Sequence, residues 1–165
     1  MNKKALVLFL GLLTITMLAT TISVAFATKP MKVKGTWTIA TGTVYKDPEG
    51  NSDTLIETHE DTITLTGDIE GTGTGDYDRR LVFHNYSPIP PWQVTQQGII
   101  TIHATVDEKE GLLYIKTVAN SQKSPDGQWT IIGGTEQLVN LHGQGTFSHL
   151  TPLMFTYEGQ VHFDP

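Results

Sequence analysis

The sequence predicts an all-β protein, folded as an eight-stranded antiparallel closed barrel behind an N-terminal signal segment, and three observations carry that prediction. From Lys34 onward, β-branched and aromatic residues alternate with polar ones at a period of two, and no amphipathic helix template fits anywhere. Short turn signals interrupt the alternation, which favours neighbouring antiparallel strands over crossovers. Glycines recur on single strand faces, Gly71, Gly73 and Gly75 above all, where missing side chains let a sheet bend sharply enough to close.

The chain opens with Lys3 and Lys4, then runs uncharged from Ala5 to Ala27 and ends that run on Ala25-Phe26-Ala27. A basic start, an apolar stretch and a small-residue triplet are what signal peptidase reads, so residues 1–27 are expected to be a signal peptide cleaved after Ala27. The alternative is an uncleaved anchor, because the same run is long enough to cross about 30 Å of hydrocarbon. A mobile linker over 28–33 and a barrel domain over 34–165 follow. Export places the protein outside the cytoplasm, secreted or in the cell envelope, and a membrane is a partner only if the segment stays on.

Cleavage after Ala27 leaves 9 basic residues against 17 acidic ones, a net charge of −8. Nucleic acid is thereby excluded as a partner, since phosphate binding needs a basic face and only Lys29, Lys32 and Lys34 cluster, as a solvated tail at the new N-terminus. With no cysteine no disulfide can staple the fold, and a core or oligomer contacts must hold it.

The expected strands run near 36–45, 55–66, 69–83, 98–107, 112–121, 128–132, 138–148 and 154–163. Turn signals lie at Asp47-Pro48-Glu49-Gly50-Asn51, Gly67-Asp68, Lys109-Glu110-Gly111 and Ser124-Pro125-Asp126-Gly127. Gly67-Asp68, glycine first, suits a two-residue type II′ loop. The glycines of 133–145 do not form a phosphate loop, because that loop must feed a helix and these are flanked by strand patterns on both sides.

The stretch from Gly133 to Gly143 resembles the Gly-Gly-Thr-Gly-x-Phe-x-x-Ala-Arg-Gly signature of dirigent proteins, which share a barrel with allene oxide cyclases. Glu136 stands in place of the third glycine, Leu138 in place of Phe and His142 in place of Arg. Thr66-Gly67-Asp68-Ile69-Glu70-Gly71-Thr72-Gly73, followed by Gly133 to Gly145, is more closely similar to an uncharacterised family of small allene oxide cyclase-like barrels. The resemblance covers about residues 33–163. It implies a calycin-like eight-stranded barrel, often oligomeric in the plant relatives, and carries no catalytic residue across.

Several constellations could carry chemistry. Asp68 with Glu70, and Asp76 with Asp78, pair carboxylates on one strand face, and are read as solvated. The opposite face of that strand holds Tyr77, Arg79, Leu81 and Phe83. If it points inward, Arg79 marks a polar recognition point in an apolar interior; if outward, it pairs with a neighbouring carboxylate. His84 to Gln93 is the longest irregular connection, and its Trp92 either lines the barrel mouth or packs over its end. The ligand-binding candidates are Tyr77, Arg79, Phe83, Trp92, His103 and Tyr114. Six histidines (His59, His84, His103, His142, His149, His162) show no metal-ligand spacing, so no metal and no cofactor is expected. No nucleophile elbow is present.

The fully apolar face Ile100, Ile102, Ala104, Val106 points to an interior that binds a small, mostly apolar ligand. The alternatives are an isomerase or cyclase of the allene oxide cyclase type, implied by the resemblance, and a structural protein that forms homo-oligomers.

Overall fold

The structure is a computed structural model and describes residues 29–46, 54–82, 93–121 and 126–165. Eight strands, β1 (Met31–Lys46), β2 (Thr54–Gly67), β3 (Ile69–Val82), β4 (Gln93–Val106), β5 (Lys109–Ser121), β6 (Gly127–Gly134), β7 (Leu141–Thr151) and β8 (Met154–Phe163), form one closed antiparallel barrel in chain order. β8 returns to β1 through pairs such as Val33↔Gly159 and Trp37↔Phe155, so no strand edge is left open. A single 3-10 turn, Glu136–Leu138, is the one helical element among the described residues.

Burial alternates along each strand as the period of two requires, with Ile100, Ile102, Ala104 and Val106 buried and their neighbours turned outward. The inner face is packed. Trp37 lies 4.9 Å from Phe147 and 5.2 Å from Phe155, ring centre to ring centre, and Trp129 meets Tyr157 edge-on at 6.4 Å. The space left among Trp37, Leu65, Ile69, Ile100, Ile115, Trp129 and Tyr157 is about 10 Å³. The Ile100–Val106 face therefore points inward as expected, but into a solid core and not into open room for a ligand.

Several local expectations change. β1 starts at Met31, pairing with Val161, so Lys32 and Lys34 are outward strand residues opposite Gln160 and Glu158, not a loose tail. The last β2–β3 pair is Leu65↔Gly71, an even register that a two-residue loop cannot produce. Gly67 does adopt a φ of +109°, and the turn is held by Asp68, which donates N–H to Lys34 O at 3.1 Å and accepts Lys34 N–H at 2.8 Å. Between β4 and β5 the reversal falls on Asp107 and Glu108, both at positive φ, and not on 109–111. Gly111 sits within β5, where a Cβ would come 2.3 Å from Thr135 O. β7 begins at Leu141 rather than 138, because Thr135 to Leu138 folds into the 3-10 turn, capped inward by fully buried Leu138. Glu136, at the place of the third glycine in the dirigent pattern, has a φ of +53°, the left-handed region that glycine enters freely.

Tyr157 ties this end of the barrel together. Its hydroxyl accepts Ile69 N–H at 2.9 Å and lies 3.1 Å from Ile69 O and 3.3 Å from Thr66 O, to either of which it can donate. Burial pushes its ionisation up to about 12. The unfolded phenol ionises near pH 10, so the contribution of Tyr157 to stability is fully present below pH 10 and about 2 kcal/mol of it is lost as pH rises to 12, with buried Tyr77 acting in the same direction. Urea midpoints of the native protein measured across that window should fall, and Tyr157→Phe should flatten the slope.

Candidate functional site

At the end of the barrel away from Tyr157, the inner face changes character. Reading straight across the ladders, Asp61 lies opposite Gly75, His59 opposite Tyr77, and Tyr77 opposite Gly98. Glu57 lies opposite Arg79, and Arg79 opposite Gln96. These neighbours fall on one inward face because β2, β3 and β4 are long, register-locked strands; the polar residues simply continue the faces that carry Ile63, Leu65, Ile100 and Ile102 deeper in. Glu57, His59, Asp61, Tyr77 and Gln96 are buried, Asp61 with only 3% and Gln96 with 2% of its surface exposed.

The cluster is tightly bonded. Asp61 accepts Gly42 N–H at 2.8 Å on one oxygen and the Tyr77 hydroxyl on the other. His59 places Nε2 3.1 Å from Glu57 Oε2 and Nδ1 3.7 Å from Asp61 Oδ2, and stacks on the Tyr77 ring at 4.8 Å. Arg79 Nε donates to Gln96 Oε1 at 3.3 Å, and its guanidinium lies 4.0 Å from Glu57 and 5.6 Å from the Tyr77 ring centre. Burial, reinforced by the bond to Asp61, raises the ionisation of Tyr77 far above the ordinary phenol value, although Arg79 works against it. At neutral pH the hydroxyl is a proton donor. The bulge in β1 between Ala40 and Thr43 is what aims Gly42 N–H at Asp61.

Of the sequence candidates, Tyr77 and Arg79 come together here, settling that their face points inward. His103 is exposed on the outer face of β4, opposite Leu112, and Tyr114 faces outward from β5 beside Ile99 and Lys116; neither can line the interior, because each has the opposite parity to the buried residues of its strand. Phe83 and Trp92, with the rest of the 83–92 connection, lie outside the described residues. Asp68, Glu70, Asp76 and Asp78 are exposed, as expected. Glu57, Asp61 and Gln96 escaped the sequence reading, although Glu57-x-His59-x-Asp61-x-Ile63-x-Leu65 places all three polar residues on the face of two core residues.

Elsewhere, His142 and His162 are cross-strand partners that share the carboxylate of Asp164 at 3.2 and 3.4 Å. That arrangement is half exposed and stabilises little. Among the described residues no group of three His, Asp or Glu is arranged to hold a metal ion. An open depression of about 870 Å³ on the outer faces of β6, β7, β8 and β1 is lined by solvated side chains such as Lys32, Gln128, Gln144 and Glu158.

The barrel has known counterparts. A solved structure of a protein of unknown function from the DUF3224 family of Shewanella oneidensis MR-1 superposes with a TM-score of 0.66 at 13% identity, over 83% of this chain and 99% of that one. The pterocarpan synthase dirigent protein PsPTS1 gives 0.50 at 12% identity, over 85% of this chain and 99% of its own. Likeness at these identities is likeness of fold, and it agrees with the resemblance read from the glycine motifs. No curated protein matches the sequence. Residues 33–157 match the family described as "Protein of unknown function (DUF3224)", and the chain belongs to that family of dirigent-like barrels.

Proposed function

We propose that the protein is an exported β-barrel that binds a small, mostly apolar molecule at the polar end of its interior. One observation carries the reading: Glu57, His59, Asp61 and Gln96 are buried in a barrel that an all-apolar face would close more cheaply. Placing two carboxylates, an imidazole and a guanidinium there costs desolvation that their mutual contacts offset at best, and such sets are retained where they recognise something. The packed middle of the barrel confines a ligand to this end. Export rests on Lys3, Lys4 and the Ala25-Phe26-Ala27 triplet.

A second reading, an isomerase or cyclase, is favoured by the run Glu57–His59–Tyr77–Asp61, in which a ring nitrogen 3.1 Å from a carboxylate stacks on a phenol that donates to another. Within it the Glu57–His59 pair can take up and return a proton. It would show itself as a bound molecule that differs between wild type and His59→Gln.

Native mass spectrometry of protein purified from its own host tests both. The expected spectrum shows a polypeptide beginning at Thr28 with an extra non-covalent mass that is lost on denaturation. A bare polypeptide that also takes up no apolar probe would end the binding reading.

A further inference from the structure

Arg79 is the least satisfied member of the cluster. Among the described residues, Nε alone of its five N–H donors makes a hydrogen bond, long at 3.3 Å, and the contact to Glu57 at 4.0 Å is beyond hydrogen-bonding reach. Its side chain keeps 23% of its surface exposed, against 2% for Asp61. Asp61 has its own donors from Gly42 and Tyr77 and does not compete for the guanidinium.

The next row towards the strand ends is apolar again. Leu55 lies opposite Leu81 and Leu81 opposite Val94, two residues beyond Glu57, Arg79 and Gln96 respectively and on the same faces. Val94 is buried, and Leu55 and Leu81 are partly so. A molecule entering from that end would slide its apolar part along Leu55, Leu81 and Val94 and bring its leading group to Arg79.

We propose that Arg79 anchors the carboxylate of an amphipathic acid whose chain or ring lies against Leu55, Leu81 and Val94. This rests on the reading of the polar end as a ligand site and names the class of ligand. The planar fork of the guanidinium matches two carboxylate oxygens in parallel, which an ammonium or an amide cannot do. A neutral ligand of the same shape would leave the donors unmet.

Calorimetric titration of the purified protein with octanoate and with octan-1-ol tests the inference. Wild type should bind octanoate at least about ten-fold more tightly than octan-1-ol, a charge-assisted hydrogen bond contributing on that scale. Arg79→Gln should bring octanoate down to the level of the alcohol and leave the alcohol within about two-fold. Arg79→Lys, which keeps the charge and loses the fork, should fall between, and serves alone if circular dichroism shows the Gln variant unfolded. Equal affinity of wild type for the two probes, or equal weakening of both by the substitutions, overturns the anchor while leaving the site standing. Binding of neither probe overturns the site as well.

Discussion

Asp61→Ala is expected to cost about 3–5 kcal/mol of folding stability, the largest loss of any polar substitution in the described barrel. Asp61 is almost wholly buried, and three groups depend on it: Gly42 N–H, the Tyr77 hydroxyl and His59 Nδ1. Removing the carboxylate strands the buried Tyr77 hydroxyl, which then pays its own desolvation, and takes the acceptor from Gly42 N–H at the exposed β1 bulge. It also leaves Glu57, His59 and Arg79 with their charge balance altered. Asp61→Asn should lose less, since its carbonyl can still accept Gly42 N–H while its amide opposes the phenol. Urea denaturation gives the comparison, and Asp78→Ala is the control. Asp78 is exposed and accepts one bond from Thr58 Oγ1 at 2.9 Å, so its loss should stay within about 0.5 kcal/mol. Equal costs at the two positions would mean that the inner cluster is as wet as the outer face.

A second large effect is expected at Gly145. A Cβ there would stand 2.0 Å from Glu158 O and 2.6 Å from Cε2 and Cζ2 of Trp129, which is itself pinned by its Nε1 bond to Thr146 O at 3.1 Å. Neither the β8 backbone nor the indole has room to retreat in a closed barrel. Gly145→Ala should therefore cost at least about 3 kcal/mol, or prevent folding. Gly133, from the same glycine-rich stretch, behaves oppositely: its Cβ would meet only Tyr114 Cδ2 at 3.7 Å, ordinary van der Waals contact. Gly133→Ala should stay within about 0.5 kcal/mol by thermal or chemical unfolding. The contrast separates a glycine whose missing side chain the barrel requires from one that the end of β6 merely tolerates.

The cluster's place in the sequence explains why only part of it could be read. Tyr77 and Arg79 are legible because they alternate with Asp76 and Asp78 on one strand. β2 gives no such contrast: Glu57, His59 and Asp61 alternate with Thr58, Glu60 and Thr62, so both faces are polar and hydropathy does not choose between them. In β1 the bulge between Ala40 and Thr43 shifts the parity midway, so that no single alternation spans the strand. His103 and Tyr114 have side chains suited to a ligand site, but residue type says nothing of parity, and both fall on the outward one.

By itself the sequence determined the local conformation: extended chain from the period of two, the number of strands from the punctuation between them, and closure from glycines on shared faces. Those are properties of neighbouring residues, and they hold wherever the chain is. Only the tertiary structure decided that Glu57 meets Arg79, that Arg79 meets Gln96, and that the barrel's middle is solid while one end is charged. The side a charged residue takes is set by what stands across the ladder from it, and those partners arrive from strands whose register is fixed only when the barrel closes.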